Sequence, residues 1–282
     1  MKIQFLGTGA AEGVPAIFCH CPTCEEIRRR GEGEYHTRSQ LVIDEEISID
    51  FSPDAYYRSL RLNVDLAKLK YLLVTHSHMD HFYAHDFILH GYKYASTLDA
   101  HLHIFGNAEV KKVFDECTRR ELKPDVAKSL TVQVVQPFQP FTFGKYTAVA
   151  LKAQHSQEEI AYVYLIECEG KRYLHLTDTG RLPKETLDYL EGYLSQKNAT
   201  VDFVVFDCTF LYHTAGEISR HMGLEDNRAM QQEFIHRNIA DGHTRYAITH
   251  YSHNAKPLKE RLLQAEQEYG YQPAFDGMKI EF

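Results

Sequence analysis

The sequence lacks the features of a membrane-spanning or fibrous chain. Across its 282 residues, no apolar run approaches the roughly 20 residues that a membrane-spanning helix needs. Tyr71–Val74 and Val201–Phe206 are typical of the longest apolar runs. The segment Met1–Gly7 is too short and too interrupted for a signal peptide. No repeat or Pro/Gly/Ser-rich linker divides the chain, so we expect one soluble, cytoplasmic domain over residues 1–282.

A basic excess is also missing. Lysine and arginine number 31 against 39 aspartates and glutamates, which gives a net charge of −8. Nonspecific binding to the phosphate backbone of a nucleic acid needs many cationic side chains. Nucleic acid is therefore not expected as a partner. Cysteine is scarce, at six residues, but 17 histidines are present. Since histidine is the commonest metal ligand, this abundance directs attention to metal sites.

Short β-type runs alternate with a few helical patterns, and several consecutive strands have connections of only turn length. This arrangement predicts an α/β chain built as an αββα four-layer sandwich, with sheets covered by helices. The predicted strands are Lys2–Leu6, Gln40–Ile43, Ile47–Asp50, Tyr71–Thr75, His101–Phe105, Leu130–Gln136, Phe141–Ala153, Ala161–Glu167, Arg172–Leu176, Val201–Phe206 and Arg245–Thr249. The predicted helices are Thr23–Arg30, Glu109–Arg120, Pro183–Gln196, Leu224–Arg237 and Pro257–Tyr269.

The strongest chemical signal is the run Thr75-His76-Ser77-His78-Met79-Asp80-His81, directly after the apolar run that ends at Val74. His76 and His78 are two apart in an extended segment, so both imidazoles face the same side. Asp80 and His81 open a helical turn and can aim back at the same space. Four ligands within six residues would crowd one ion, and the spacing therefore favours two neighbouring metal ions.

This run resembles the signature of the metallo-β-lactamase superfamily of binuclear metal hydrolases. The resemblance implies a later His, an Asp at a strand end and a final His after a late strand, which are matched in order by His155, Asp178 and His250. By analogy, His76, His78 and His155 hold one ion; Asp80, His81 and His250 hold the other; and Asp178 bridges them. Asp50, at the end of a strand, is either a carboxylate that orients a ligand imidazole or an ordinary strand-end Asp.

A second signal is the cluster Cys19-His20-Cys21-Pro22-Thr23-Cys24. Three thiolates need a fourth ligand to close a tetrahedral structural zinc site. His20 is too near for comfortable geometry, whereas His253 lies three residues after His250 and can turn towards the cysteines. We therefore expect an N-terminal zinc loop at about residues 19–24, closed by His253.

Together with a Gly-Thr-Gly turn, a Val14-Pro15 step and the terminal segment Phe275–Met278, these motifs resemble the PhnP-type phosphodiesterases. The resemblance implies hydrolysis of small cyclic ribose or nucleotide phosphodiesters by a hydroxide that bridges two divalent ions, with Asp80 among the catalytic ligands and His221 as general acid. Ligation by His and Asp admits Zn²⁺, Mn²⁺ or Fe²⁺ at these sites. Residues 82–130 match no motif, and their aromatic side chains are expected to shape the substrate pocket.

Three other functions stay open at this point: a tRNA 3′-end endonuclease, a glyoxalase-II-like thioesterase, and a non-hydrolytic binding protein like the pyrroloquinoline-quinone biosynthesis member. The acidic balance disfavours the first, and the cysteine loop is not expected in the second. The intact His76–His81 set disfavours the third. The expected partner is a small anionic phosphodiester rather than a membrane, and a homodimer stays open.

Overall fold

Two seven-stranded sheets pack face to face in the computed structural model, which describes residues 1–96, 101–216 and 218–282. Numbered along the chain, the first sheet has the strand order β14-β1-β2-β3-β4-β5-β6, and the second has the order β13-β12-β11-β10-β9-β8-β7. The strands are β1 Lys2–Gly7, β2 Gln40–Ile43, β3 Ile47–Ile49, β4 Tyr71–Leu73, β5 Leu102–Gly106, β6 Leu130–Val134, β7 Pro140–Phe143, β8 Tyr146–Lys152, β9 Tyr162–Cys168, β10 Lys171–Leu176, β11 Phe203–Asp207, β12 Arg245–Thr249, β13 Gln272–Pro273 and β14 Lys279–Glu281.

Helices cover the outer faces of both sheets. They are α1 Pro22–Arg30, α2 Ala55–Leu62, α3 Ala108–Thr118, α4 Pro124–Ala127, α5 Lys184–Gln196, α6 Leu224–His236 and α7 Lys259–Tyr269, with short 3-10 helices at Glu32–Glu34, Leu66–Lys68, Ala84–Leu89 and His253–Ala255. None of the helices in the described part of the chain is both long and apolar enough to cross a membrane.

The period of two along each strand divides the apolar side chains between the layers. On β9, Tyr162, Tyr164 and Ile166 enter the core between the sheets, whereas Val163 and Leu165 face outward. The outward residues pack against α5, α6 and α7, and Val110 and Phe114 of α3 pack against the first sheet. Alternation of this kind buries both faces of each sheet, and the predicted αββα sandwich is confirmed.

Some predicted element boundaries are wrong. The run Phe141–Ala153 is a hairpin of β7 and β8 and not one strand, because Gly144 adopts a positive φ of 52° at the turn. Helix α2 was missed: it is short, and only Ala55 is buried among its residues. The short edge strands β13 and β14 were missed as well.

The topology gathers several strand ends at one edge of the sandwich. Strands β10, β11 and β12 are mutually parallel, and β4 is parallel to both of its neighbours. Parallel strands bring their carboxyl ends to the same edge of a sheet. The chemistry-bearing segments after β4, β10, β11 and β12 therefore start from a common rim.

Candidate active site

Three of the residues at this rim adopt left-handed backbone conformations. Asp50 has φ 60°, Asp178 has φ 54° and His250 has φ 67°. Such angles are uncommon for residues other than glycine and cost of order 1–3 kcal/mol each. Here they turn three side chains back towards one space directly after β3, β10 and β12.

The first group of convergent ligand atoms belongs to His76, His78, His155 and Asp178, all within 4.8 Å of one another. His76 Nε2 lies 2.9 Å from His78 Nδ1, and His155 Nε2 lies 3.4 Å from the same atom. The Asp178 carboxylate lies 3.1 Å from His155 Nδ1. Burial holds the pKa of His76 well below its usual range, which keeps its ring neutral for metal binding.

The second group consists of Asp80, His81, Asp178 and His250, again within 4.8 Å. His81 Nε2 lies 3.2 Å from Asp80 and 3.1 Å from Asp178. Within the described part of the chain, His81 Nε2, His250 Nε2 and Asp178 Oδ1 are buried without a hydrogen bond of good geometry. Buried polar atoms normally make hydrogen bonds. Three buried ligand atoms that converge without one are therefore suited to bind a pair of divalent cations.

Asp50 anchors the loop that follows β4. Its carboxylate accepts hydrogen bonds from the backbone N–H of Thr75 at 2.8 Å and lies 2.6 Å from His81 Nδ1. This contact leaves Nε2 of His81 directed at the ligand group. Burial acts to lower the pKa of His81, but the carboxylates of Asp80 and Asp50 raise it well above its usual value. Protons therefore compete with a metal ion for this ring.

Sequence reasoning missed Asp207, which ends β11. Its carboxylate lies 3.3 Å from His250 Nδ1 and 3.4 Å from His221 Nδ1, and it also accepts a hydrogen bond from Thr209 Oγ1. Burial acts to raise the pKa of Asp207, but the two imidazoles lower it to about 2. The sequence did contain a signal for this residue, since Asp207 comes at the end of an apolar strand, as Asp50 and Asp178 do.

His221 lies at the rim of the cluster, with its side chain 26% exposed. Its Nδ1 is 3.0 Å from Asp178 and its ring stacks on His250 at a centroid distance of 5.7 Å. Burial acts to lower the pKa of His221, but Asp178 and Asp207 raise it to about 10. Asp178, Asp207, His221 and His250 also form a third group of ligand atoms within 4.8 Å, so His221 can serve either as a proton donor or as a ligand.

Gly180 brings the His221 segment close to the cluster. A Cβ at this position would overlap the backbone carbonyl oxygen of Ser219. Only glycine permits this approach, which explains the Asp178-Thr179-Gly180 sequence.

The cysteine cluster lies beside the C-terminal turn. Cys19, Cys21, Cys24 and His253 place their ligand atoms within 4.8 Å of one another, with His253 Nδ1 at 3.6 Å from Cys21 Sγ and 3.4 Å from Cys24 Sγ. All six cysteines are free thiols. A backbone hydrogen bond from Cys24 lowers the pKa of Cys21 to about 6. This S₃N donor set suits zinc.

The segment 82–130 is only partly described, because residues 97–100 lie outside the described ranges. Phe82 and Phe87 are buried in the outer core, whereas Tyr92 and Tyr94 are exposed. A cavity of about 450 Å³ lies elsewhere, between α2 and α7, and its lining contains none of the candidate ligands among the described residues. The expected role of this segment in the substrate pocket therefore stays a prediction.

Comparison with known proteins gives one family match. The Beta-lactamase superfamily domain matches residues 45–250, which include every candidate ligand of the binuclear cluster. The fold is similar to that of a diphosphatase from the PhnP family (TM-score 0.71, 20% identity, covering 100% of this chain and 97% of that one). It is also similar to Zn²⁺-bound PqqB from Methylobacterium extorquens (0.73, 16%, 100% of both chains) and to human short-form tRNase Z (0.65, 15%, 100% and 99%). At identities this low, the three structural similarities establish the fold alone.

One curated protein shares a shorter stretch. An octanoyltransferase of Porphyromonas gingivalis (strain ATCC BAA-308 / W83) is 36% identical over 85 residues, which is 29% of this chain. The matched stretch spans only 16% of that protein's length.

Proposed function

Because the chain belongs to the metallo-β-lactamase superfamily, we propose that it is a metal-dependent phosphodiesterase acting on small cyclic ribose or nucleotide phosphodiesters. The observation that carries the proposal is the central position of Asp178. Its carboxylate belongs to both ligand groups and also lies 3.0 Å from the rim residue His221. Two ligand groups and a proton donor around one carboxylate suit hydrolysis of a diester whose leaving group needs a proton.

In this proposal His76, His78 and His155 hold one ion, Asp80, His81 and His250 hold the other, and Asp178 is shared. Two divalent cations, Zn²⁺, Mn²⁺ or Fe²⁺, would lower the pKa of a water molecule and neutralise charge on the phosphodiester when bound. Asp50 and Asp207 orient His81 and His250 through their Nδ1 atoms, which directs each Nε2 to the ligand group.

His221 supplies the proton. Asp207 and Asp178 face its Nδ1, so they stabilise the protonated ring and leave Nε2 to protonate the alkoxide as the phosphorus–oxygen bond breaks. The two carboxylates raise the pKa of His221 above its usual value, which favours the protonated ring as a proton donor. The charged ring also attracts the anionic substrate to a chain whose net charge is −8.

We further propose that Cys19, Cys21, Cys24 and His253 bind a structural zinc ion. Thiolates that bind zinc must stay reduced, and thiols are kept reduced in the cytosol, so we also propose a cytoplasmic location.

A second candidate function is thioester hydrolysis. It is favoured by the 36% identity over 85 residues to an octanoyltransferase, a protein that transfers an acyl group. A thiolate leaves without a proton, whereas an alkoxide needs one. The two carboxylates that hold His221 as a proton donor therefore favour a phosphodiester substrate.

A substrate panel separates the candidates. Metal-loaded protein should be assayed with 2′,3′-cyclic nucleotides, bis-p-nitrophenyl phosphate, pre-tRNA and an octanoyl thioester. We expect the highest kcat/KM for the cyclic nucleotides. A higher value for the thioester or for pre-tRNA would replace the proposal with that function, and hydrolysis of none would indicate a binding protein.

A further inference from the structure

The carboxylate of Glu159 joins three segments beside the first ligand group. Ser77 donates to Glu159 Oε1 from its backbone N–H at 3.0 Å and from its hydroxyl at 2.7 Å. Asn107, the N-cap of α3, donates from Nδ2 to Glu159 Oε2 at 2.6 Å. Asn107 also donates to the carbonyl of Ile160 at 2.9 Å. One carboxylate therefore fixes the loop after β4, the loop after β8 and the start of α3 relative to one another.

Ser77 is the point at which this contact reaches the metal ligands. It lies between His76 and His78, whose ring nitrogens converge to 2.9 Å. In an extended segment, neighbouring side chains point to opposite sides, so the Ser77 hydroxyl is available on the side away from the ligands. The backbone N–H of Ser77 is partly buried, and Glu159 provides its acceptor.

The contact repeats one seen two residues earlier. Asp50 accepts the backbone N–H of Thr75 at 2.8 Å, and Glu159 accepts that of Ser77. Two carboxylates thus hold alternate N–H groups along the same short loop. Asp50 also contacts a ligand imidazole, whereas Glu159 acts through the backbone.

Glu159 also belongs to the loop that carries His155. It follows His155 by four residues, and its backbone N–H donates a hydrogen bond to Ser156 Oγ at 3.4 Å. His155 Nε2 lies 3.4 Å from His78 Nδ1, so the two loops contribute ligands to the same group.

We infer that Glu159 is a positioning residue that sets the spacing of the His76–His78 pair against His155. The inference rests on the ligand assignment in the proposed function. Because Glu159 contacts neither Asp80, His81 nor His250 in the described part of the structure, its loss should weaken one metal site and spare the other.

The test is a Co²⁺ titration of the full-length chain after the cysteine site has been filled with zinc and the binuclear site freed of metal, followed by the visible absorption of each Co²⁺ site. His78→Ala and Asp80→Asn assign the two binding phases. Glu159→Gln keeps the volume but places an amide donor against the Asn107 donor, and we expect the phase assigned to His78 to weaken about 10–100-fold, as for other supporting partners of metal ligands. Ser77→Ala removes one of the contacts and should give a smaller change in the same phase.

Glu158→Gln is the matched control, since Glu158 is exposed and joins the same turn through its backbone N–H. It should leave both phases unchanged. Equal weakening of both phases by Glu159→Gln and Ser77→Ala, or no change in either variant, would overturn the inference. No substrate enters this measurement, so a failed phosphodiesterase assay and a failed positioning role give different results.

Discussion

At the residue scale, the two carboxylates around His221 lead to a prediction about leaving groups. His221→Ala should lower kcat/KM for a cyclic nucleotide about 10²–10⁴-fold, because an alkoxide needs a proton to leave. Bis-p-nitrophenyl phosphate should lose much less, because p-nitrophenolate leaves unprotonated. Both ions of the binuclear site should be retained in metal analysis, and His213→Ala, at an exposed loop position, serves as the control. Equal losses on the two substrates, or loss of a metal ion, would exclude His221 as the acid.

His175 gives a prediction about stability and pH. This ring is buried beneath the cluster with Nδ1 2.7 Å from the Tyr173 hydroxyl, and burial lowers its pKa to about 3 from an ordinary value of 6.5. Between these two values the unfolded chain binds a proton that the folded chain does not, so the free energy of unfolding falls as the pH falls. From pH 7 to pH 5 this difference amounts to about 2 kcal/mol.

His175→Gln retains an acceptor for Tyr173 and should remove this contribution. Urea unfolding with chelator present, at pH 7 and pH 5, should show the wild type losing about 2 kcal/mol more than the variant over that interval. Parallel pH dependences of the two proteins would contradict the account of His175.

The sequence predicted residues whose type and spacing are rare. His76, His78, Asp80 and His81 stand out as a dense motif, whereas the later three ligands of the binuclear cluster were assigned by resemblance to the metallo-β-lactamase superfamily. The structure brings all seven together. Asp207 and Glu159 were missed because a single carboxylate is common in any sequence. Their roles depend on which distant N–H or imidazole lies opposite, and only the tertiary fold determines that.

At the scale of secondary-structure elements, the cysteine cluster links the start of α1 to the turn at His253–Ala255. Zinc bound there would contribute to the folding free energy, because the ligands come from sequence positions more than 220 residues apart. Cys21→Ser should remove one zinc equivalent and lower the Tm by about 5 °C or more, corresponding to roughly 2 kcal/mol.

Cys117→Ser is the control for this prediction, since Cys117 is a half-buried thiol on α3 away from the cluster. Its metal content should equal that of the wild type. Unchanged zinc and unchanged Tm in Cys21→Ser would refute the structural zinc site.

Strands were predictable where a short segment is apolar on both faces. The sequence indicated β9 to β12 because their apolar residues are buried on both sides of the second sheet. Helix α2 was not predicted, and its large apolar residues Tyr56, Tyr57 and Leu60 are exposed rather than packed in a core. The β7–β8 hairpin was read as one strand because both arms are apolar and the turn is only two residues long.

At the scale of the whole molecule, the two packed sheets bring the carboxyl ends of β4, β10, β11 and β12 to one rim. The ligands that meet there come from distant parts of the sequence. They run from His76 to His250, and Asp178 alone belongs to each group of the binuclear cluster. Removing its carboxylate should therefore release both catalytic ions, while the distant cysteine site keeps its zinc. We expect about three metal equivalents in the wild type and about one in Asp178→Asn.

The most direct test of the central claim is a Mn²⁺ titration of wild-type protein and Asp178→Asn. Both proteins are first freed of metal, and their cysteine site is then filled with zinc. The rate of 2′,3′-cyclic nucleotide hydrolysis is measured after each addition of Mn²⁺. The account predicts that the wild-type rate rises until two further equivalents are bound and that Asp178→Asn stays inactive throughout. Hydrolysis that is complete after one equivalent, equal rates in the two proteins, or no hydrolysis by the fully loaded wild type would contradict it.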